Sequence, residues 1–222
     1  MVEILSVSDR AAVHRALGDE HRLRLLDYLE GSDRTPGELC ELTGLSSNLL
    51  AFHLGILEDA GVVERRRSEG DARRRYVRLR REKLAGIWLP GGEVRPPATV
   101  VFVCSHNSAR SQFAEAVWRA GGGEVWSAGT DPAERVHPGA VAASRRYGVD
   151  LSGMRPKGFE AVPETADLIV TVCDRALESG VPLVGTRLHW SIPDPVGRGP
   201  RAFESAFADI ASRVDWLRSR AA

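Results

Sequence analysis

The sequence has 222 residues, of which 43% are hydrophobic and 27% charged, and its 30 basic and 30 acidic residues give a formal net charge of zero. This composition is typical of a globular protein with room for two cores, and it excludes the disordered and fibrous classes. No apolar run approaches the roughly 18 residues that cross a bilayer, and the first residues lack a signal pattern, so we expect a cytoplasmic protein without membrane contact. Three scattered cysteines, Cys40, Cys104 and Cys173, predict thiols and no disulfide framework.

Apolar spacing predicts two helices near the start of the chain, over residues 9–17 and 19–30. The second opens with two acidic residues, which are favourable at the positive end of a helix dipole. We expect its apolar stripe to be core: Leu23, Leu26, Tyr28 and Leu29.

A helix-turn-helix pattern follows. Pro36 begins a short helix, a turn at Gly44 comes next, and Ser46 caps a longer helix that ends near Gly61. Two helices joined by a short turn that contains glycine are typical of DNA-binding domains.

The next segment is strongly basic. Residues 62–68 and 73–79 alternate apolar and basic side chains around Glu69-Gly70-Asp71, which predicts a two-stranded wing. From Arg65 to Lys83 the chain has ten basic residues against three acidic ones, so we expect contact with nucleic acid here. A small helical bundle with a solvated basic hairpin is the alternative.

The segment Ala16-Leu17-Gly18-Asp19-Glu20-His21-Arg22-Leu23, with Leu45-Ser46-Ser47-Asn48 and Phe52-His53-Leu54, resembles the ArsR-type winged-helix repressors. The resemblance implies a homodimer on double-stranded DNA, with the longer helix in the groove and the wing arginines at phosphates. The DNA-binding residues that it implies are Ser46, Ser47, Asn48, Ala51, Phe52, His53, Arg73, Arg74 and Arg75. Apolar residues replace the usual polar ones at Leu49, Ala51 and Phe52, which predicts fewer hydrogen bonds to base edges.

Cys40 stands where many of these repressors carry a pair of metalloid-binding cysteines. One thiol cannot chelate arsenite, so we expect Cys40 to be a buried small hydrophobic residue. The six histidines show no close pair with metal-ligand spacing, and we expect no metal ion.

The second half of the chain is organised around the segment from Cys104 to Ser111. A β-branched and aromatic run precedes it and apolar residues at helical spacing follow it, so this loop joins a strand to a helix. Such a turn directs backbone N–H groups and the helix dipole toward a bound oxyanion, and Arg110 adds a permanent charge. The same field favours the nucleophilic thiolate of Cys104. A buried structural cysteine is the alternative.

Strands and helices alternate after residue 98. The predicted strands are 99–104, 124–127, 167–173 and 186–190, and the predicted helices lie near 111–120, 138–147 and 203–218. This order predicts an α/β fold, a parallel sheet with helices on both faces whose ligands lie beyond the carboxyl ends of the strands.

The predicted organisation has two domains. Residues 1–89 form a winged helix-turn-helix, mostly helical with a β wing, and residues 98–222 form the α/β domain. Residues 90–97 are rich in proline and glycine, which predicts a linker.

The loop from Cys104 to Ser111, with Ser127-Ala128-Gly129-Thr130 and Asp194-Pro195, resembles the low-molecular-weight tyrosine phosphatase superfamily. His106-Asn107 and His189-Trp190-Ser191-Ile192-Pro193-Asp194-Pro195-Val196-Gly197 are more similar to its arsenate reductase branch. The resemblance implies Cys104 as the nucleophile and Asp194 as the general acid. The oxyanion-binding residues that it implies are Ser105, His106, Asn107, Ser108, Ala109, Arg110 and Ser111.

Arsenate and phosphate are nearly identical in charge and shape, so the electron source distinguishes the two chemistries. A second thiol must attack the Cys104 sulfur to release arsenite. Cys173 is similar to the first of two further cysteines in the thioredoxin-coupled reductases, and the second has no counterpart near Gly180. Cys173 pairs with Cys104, or a small thiol acts in its place, or there is no turnover. We expect no cofactor and an external thiol reductant.

The sequence predicts a DNA-binding transcriptional regulator fused to an arsenate reductase. One alternative is a non-catalytic sensor of arsenate, phosphate or a phosphoprotein that controls DNA binding, and another is a tyrosine phosphatase tethered to DNA. An arsenate turnover assay with several thiol donors, run beside an aryl phosphate assay, separates them.

Overall fold

The computed structural model describes residues 6–84 and 97–219. The chain divides into two compact units, one made of Met1–Ser68 and Ala72–Gly91, the other of Glu69–Asp71 and Gly92–Ala222. The expected linker over residues 90–97 lies outside the described residues apart from Pro97. In the described ranges, no helix combines the length and the apolar character that crossing a membrane requires.

Within residues 6–84, four helices precede a hairpin: α1 (Val7–Leu17), α2 (Glu20–Glu30), α3 (Pro36–Thr43) and α4 (Ser47–Asp59). Each begins after a capping side chain that accepts a hydrogen bond from a backbone N–H three residues later; these caps are Ser6, Asp19, Thr35 and Ser46. Gly44 has a φ of 71°, which ends α3 and turns the chain into α4.

The hairpin consists of β1 (Val63–Arg67) and β2 (Arg75–Leu79), which pair antiparallel with Val63 opposite Leu79. Arg34, just before α3, exchanges two backbone hydrogen bonds with Val77 and so attaches the hairpin to the helices. The predicted winged helix-turn-helix architecture is confirmed.

Leucines from α2, α3 and α4 dominate the core of the first unit, and β1 and β2 add valines. The prediction that Leu23 and Tyr28 are core was wrong, since they are 42% and 37% exposed. The buried positions of α2 begin at Arg22 and continue at Leu25, Leu26 and Leu29, which is one helical stripe, and residues 23 and 28 lie off it. Cys40 is only partly buried and packs against this core.

The second unit contains a four-stranded parallel sheet in the order β4-β3-β5-β6. Its strands are β3 (Thr99–Cys104), β4 (Glu124–Gly129), β5 (Thr165–Thr171) and β6 (Val184–His189). Every residue of β3 from Val100 to Cys104 is buried, as expected when both faces of a sheet are covered. The covering helices are α5 (Arg110–Ala120), α6 (Pro138–Arg146), α7 (Asp174–Ser179) and α8 (Pro200–Ser219). The predicted α/β class is confirmed.

The sheet order fixes where a ligand can bind. β3 has β4 on one side and β5 on the other, so the loops after these strands diverge and leave a crevice at the carboxyl end of β3. Several boundaries differ from the prediction, and one of them bears on the site: β5 ends at Thr171, and Cys173 caps α7. The crevice is therefore formed by the loop that follows Cys104 and by the start of α7.

Candidate active site

The loop after β3 holds its carbonyl groups outward. The carbonyl oxygens of residues 104, 105, 106 and 108 accept backbone hydrogen bonds from residues 130, 131, 133 and 137, at 2.8 to 3.1 Å. The carbonyl of Asn107 accepts from the Gln112 side chain at 2.9 Å. Because the C=O of one residue and the N–H of the next point in opposite directions across a trans peptide, the N–H groups of residues 105–109 face the interior of the loop. Such a ring of amides at a helix start binds anions.

Cys104 lies buried at the base of this ring. Its Sγ receives a hydrogen bond from the backbone N–H of Asn107 at 3.2 Å and lies 3.0 Å from Ser111 Oγ. Both groups are donors for a thiolate, which is the nucleophilic form of cysteine. His106 is turned away, because its Nδ1 lies 2.9 Å from the carbonyl oxygen of Asp131 and its side chain is exposed.

Asn107 fixes the shape of the loop. It has a φ of 45°, the one positive φ outside glycine among the described residues. Its Nδ2 donates to Ser111 Oγ and Ser127 Oγ, at 2.7 and 2.8 Å. Its Oδ1 accepts from Gln112 Nε2 and from the backbone N–H of Lys157, both at 2.8 Å. These four bonds hold the strained residue in place.

A buried carboxylate supports this network from behind. Glu115 is buried, accepts a hydrogen bond from Ser127 Oγ and forms ion pairs with Arg119 and with Lys157 Nζ, the latter at 3.0 Å. The supporting roles of Glu115, Ser127 and Lys157 were not predicted from the sequence. A glutamate on the buried side of α5 was the available signal, since ionised side chains are rarely buried without a partner.

Gly129 allows β4 to lie against the loop. A Cβ atom at this position would stand 2.6 Å from the carbonyl oxygen of Ser105 and 3.0 Å from the backbone nitrogen of Asn107. Both are backbone atoms of the ring, so any larger residue here must displace the ring itself.

Arg110 and Asp194 meet at the site. Arg110 Nη1 donates to the carbonyl oxygen of Ile192 at 2.8 Å, and Nη2 lies 3.1 Å from Asp194 Oδ2. Burial acts to lower the pKa of Arg110, but the thiols of Cys173 and Cys104 and the carboxylate of Asp194 outweigh it, and the pKa lies above its ordinary value. The guanidinium is therefore a permanent positive charge beside both sulfurs.

Cys173 lies next to the loop. Its Sγ is 3.4 Å from Ser105 Oγ and accepts a hydrogen bond from the backbone N–H of Ala176 at 3.4 Å. Burial raises the pKa of this thiol, and Arg110 opposes that effect in part. All three cysteines are free thiols.

A second group of buried polar side chains surrounds Asp174, the residue that follows Cys173. His189 Nδ1 lies 2.9 Å from Thr171 Oγ1, and its Nε2 lies 3.2 Å from Asp174 Oδ1. These contacts join the ends of β5 and β6 to the start of α7. From the sequence, His189 was part of a motif only, and Asp174 and Thr171 were not predicted as site residues.

In the first unit, the implied DNA-binding residues of α4 are mostly at the surface. Ser46, Ser47, Asn48, Ala51 and Phe52 are exposed, as are the three consecutive wing arginines from Arg73 to Arg75. His53 corrects the prediction, because it is 4% exposed and packs beside His21 and Asp19, where it cannot reach a base edge. In the described ranges, no group of three or more His, Cys, Asp and Glu side chains could hold a metal ion.

Comparison with known proteins agrees with this division. The family model for low molecular weight phosphotyrosine protein phosphatase matches residues 99–221, and a helix-turn-helix domain model matches residues 17–66. An arsenate reductase of Brevibacillus brevis is 37% identical over 123 residues, which are 52% of this chain and 90% of that protein. An arsenate reductase of Bacillus cereus is 34% identical over 123 residues, again 52% of this chain and 90% of that protein.

Among solved structures, an arsenate reductase from Archaeoglobus fulgidus is similar at 33% identity, with a TM-score of 0.48, over 54% of this chain and 98% of that one. The family model covers more than half of the present sequence, and the arsenate reductase relatives are covered over nine tenths of their length. The chain belongs to the low molecular weight phosphotyrosine protein phosphatase family and carries a helix-turn-helix domain ahead of the phosphatase-like domain.

Proposed function

We propose that this protein is a DNA-binding transcriptional regulator of the ArsR type whose second unit reduces arsenate to arsenite. The observation that carries the proposal is the pair of thiols at one anion-binding loop. Cys104 lies at the base of the amide ring, and Cys173 contacts Ser105 of the same ring at 3.4 Å. A hydrolytic phosphatase needs the first thiol alone, whereas a reductase needs a source of two electrons.

The first step is attack by the Cys104 thiolate on arsenic. An S–As bond forms, and one As–O bond breaks. Asp194, which lies 3.1 Å from Arg110, acts in its protonated form and gives its proton to the leaving oxygen, which departs as water. The ring amides and Arg110 hold the remaining oxygens.

The second step reduces arsenic. The Cys173 thiolate attacks the Cys104 sulfur, an S–S bond forms, and the electron pair of the S–As bond stays on arsenic, which leaves as arsenite. Two thiols are oxidised to one disulfide while arsenic gains two electrons. An external thiol then reduces the disulfide by exchange, and no bound cofactor takes part.

The residue after Asp194-Pro195 favours an inorganic oxyanion over phosphotyrosine. Val196 is exposed there and offers no aromatic ring for a phosphotyrosine side chain to stack upon. The relatives from Brevibacillus brevis and Bacillus cereus, at 37% and 34% identity, bear the name arsenate reductase, which also supports this substrate.

The first unit supplies the DNA contact. An exposed α4, a basic hairpin and the helix-turn-helix match support binding to double-stranded DNA, with the wing arginines at phosphates. The proposal extends to a homodimer in the cytoplasm. A dimer offers two recognition helices to a two-fold operator, and one short helix makes few contacts alone.

The test is an arsenite-formation assay run beside hydrolysis of an aryl phosphate. The proposal expects arsenite to form with an added thiol donor such as thioredoxin or glutathione, at a rate that exceeds aryl phosphate hydrolysis. Hydrolysis without arsenite formation assigns the domain to phosphatases. If neither activity occurs and the protein still binds arsenate, it is a sensor.

A further inference from the structure

The outward face of α4 is unusually poor in hydrogen-bonding groups. Ser47 and Asn48 are exposed near its start, but Leu49, Ala51 and Phe52 follow them, and Phe52 is 61% and Leu49 41% exposed. An exposed phenylalanine beside other exposed apolar groups costs solubility, which makes such a patch a candidate contact surface.

Packing fixes which face of α4 points outward. Leu50, Leu54 and Leu57 are buried in the core of the first unit, and His53 is buried beside them. These positions form one stripe of the helix, so Asn48, Ala51 and Phe52 lie on the opposite side. The helix cannot rotate to hide Phe52 without exposing three leucines.

Positive charge flanks this apolar face. One hollow of about 180 Å³ is mostly apolar; it is lined by Ser47 and Ala51 of α4, by Pro36 at the start of α3, and by Arg65, which is paired with Glu58 at 3.1 Å. A second hollow, of about 320 Å³, shares Pro36 and is lined by three arginines, Arg73, Arg74 and Arg75. The exposed apolar side chains of α4 therefore lie on the same unit as a hollow lined by arginines. Duplex DNA offers negative phosphates for the arginines and base edges between them for the apolar side chains, whereas an apolar protein surface offers no partner for the arginines.

We propose that α4 reads thymine methyl groups. In the major groove the 5-methyl of thymine is the one apolar group on a base edge, and alanine and phenylalanine side chains contact it. Phe52 and Leu49 supply the contact, Ala51 permits close approach, and the arginines hold the flanking phosphates. The inference rests on the proposed DNA binding and names how sequence is read there.

The experiment removes methyl groups without altering hydrogen bonding. The full-length protein first selects duplexes from a random library, and each thymine of the selected site is then replaced singly by uracil. Fluorescence anisotropy gives the dissociation constant of every duplex. The inference expects the affinity to fall about fourfold at each thymine that α4 contacts, the factor expected for exposing one buried methyl group, and to stay constant elsewhere.

Variants assign the effect to side chains. In Phe52→Ala or Leu49→Ala, the uracil duplex and the thymine duplex should bind equally at the position that the lost side chain contacted. Leu23→Ala is the matched control, since Leu23 is an exposed leucine of the same unit with 42% exposure, and the ratio of the two affinities should remain at its wild-type value.

Each of the other possible outcomes contradicts one part of the proposal. If the protein binds DNA but uracil changes nothing, or if no sequence is enriched, methyl readout is wrong and DNA binding stands. If no duplex is bound, both the methyl readout and the proposed DNA binding are wrong. If Phe52→Ala turns a dimer into a monomer in sedimentation and leaves the uracil ratio unchanged, a second copy of this chain covers the face.

Discussion

Cys104 and Cys173 are distinguished by what surrounds each sulfur. Cys104 has a ring amide and Ser111 within hydrogen-bond reach, while Cys173 lies against Ser105 and caps a helix. The first arrangement suits a thiolate that attacks an anion. For Cys173 the effect of burial is the larger one: it raises the pKa of the thiol and keeps it protonated.

Serine at position 104 should separate binding from chemistry. We expect Cys104→Ser to lower the rate of arsenate reduction by a factor of more than about 10³, because a serine hydroxyl cannot replace the thiolate as the nucleophile. Arsenate should still bind to the ring. Arg110→Ala should lose both. Cys40→Ser, which removes the thiol of the first unit, is the control and should reduce arsenate at the wild-type rate. Arsenite formation and calorimetric titration of arsenate provide the two readouts, and normal reduction by Cys104→Ser would show that another residue is the nucleophile.

The pH dependence follows from Cys173. Burial raises the pKa of its thiol, so the thiol is protonated at neutral pH, and its reactive fraction rises about tenfold per pH unit below that pKa. We expect the release of arsenite in a single turnover at saturating arsenate to accelerate with pH by a comparable factor. Quenched-flow measurement between about pH 6.5 and 8 tests this expectation. In Cys173→Ser with an added small thiol, the profile should instead follow the added thiol, and an identical profile in both proteins contradicts the assignment.

At the scale of secondary-structure elements, the site depends on how β4 and the loop after β3 fit together. Gly129 lets the two backbones approach to a distance that no side chain tolerates. The same contact orients the outward carbonyls of the loop, because Thr130 and Asp131, which follow Gly129, donate to two of them. β4 is thus a template for the amide ring.

Gly129→Ala tests this template. The added methyl group would meet the carbonyl oxygen of Ser105 at 2.6 Å, so we expect the ring to shift and arsenate affinity to fall by about 10- to 100-fold, as a strained backbone contact costs on the order of 1 to 3 kcal/mol. Gly153→Ala is the matched control, because a Cβ there meets nothing within 4 Å. Calorimetric titration measures both, and equal affinities in the two variants would contradict the role of β4.

Sequence patterns predicted the long elements and missed the short or supporting ones. The apolar run before Cys104, the proline at Pro36 and the cap at Ser46 indicated their strand and helices, because each signal is local. α7 has only six residues, which is too short to show a helical period, so the run before Cys173 read as a longer strand.

The residues of the candidate site also divide into those that a local pattern predicted and those that it missed. Cys104 and Arg110 belong to one continuous motif and were predicted together. Glu115 lies on α5, Ser127 on β4 and Lys157 between α6 and β5, so the three meet only in the folded domain and their spacing in the sequence does not reveal the cluster. His53 shows the opposite error, because its place in the recognition helix suggested DNA contact although its angular position faces the core.

At the scale of the whole molecule, two units with separate cores carry separate chemistries. The basic hairpin belongs to a chain with no net charge, so attraction to DNA is a local property. We expect the logarithm of DNA affinity to fall linearly with the logarithm of salt concentration, with a slope of about 0.9 per neutralised phosphate.

Changing Arg73, Arg74 and Arg75 together to alanine should flatten this slope, and changing Arg135, Arg145 and Arg201, exposed arginines of the second unit, should not. Anisotropy titrations at several salt concentrations measure the slopes. Sedimentation of the complex should find two chains per duplex. Equal slopes in the two triple variants, or a single chain on DNA, would contradict this account.

The most direct test of the central claim is a single turnover without added reductant. Fully reduced protein, freed of small thiols and mixed with arsenate, should yield one arsenite per chain, because the oxidation of Cys104 and Cys173 to one disulfide releases the two electrons. Mass spectrometry should find that disulfide, with Cys40 still reduced. Three reduced cysteines and no arsenite would contradict the claim that this pair of thiols reduces arsenate.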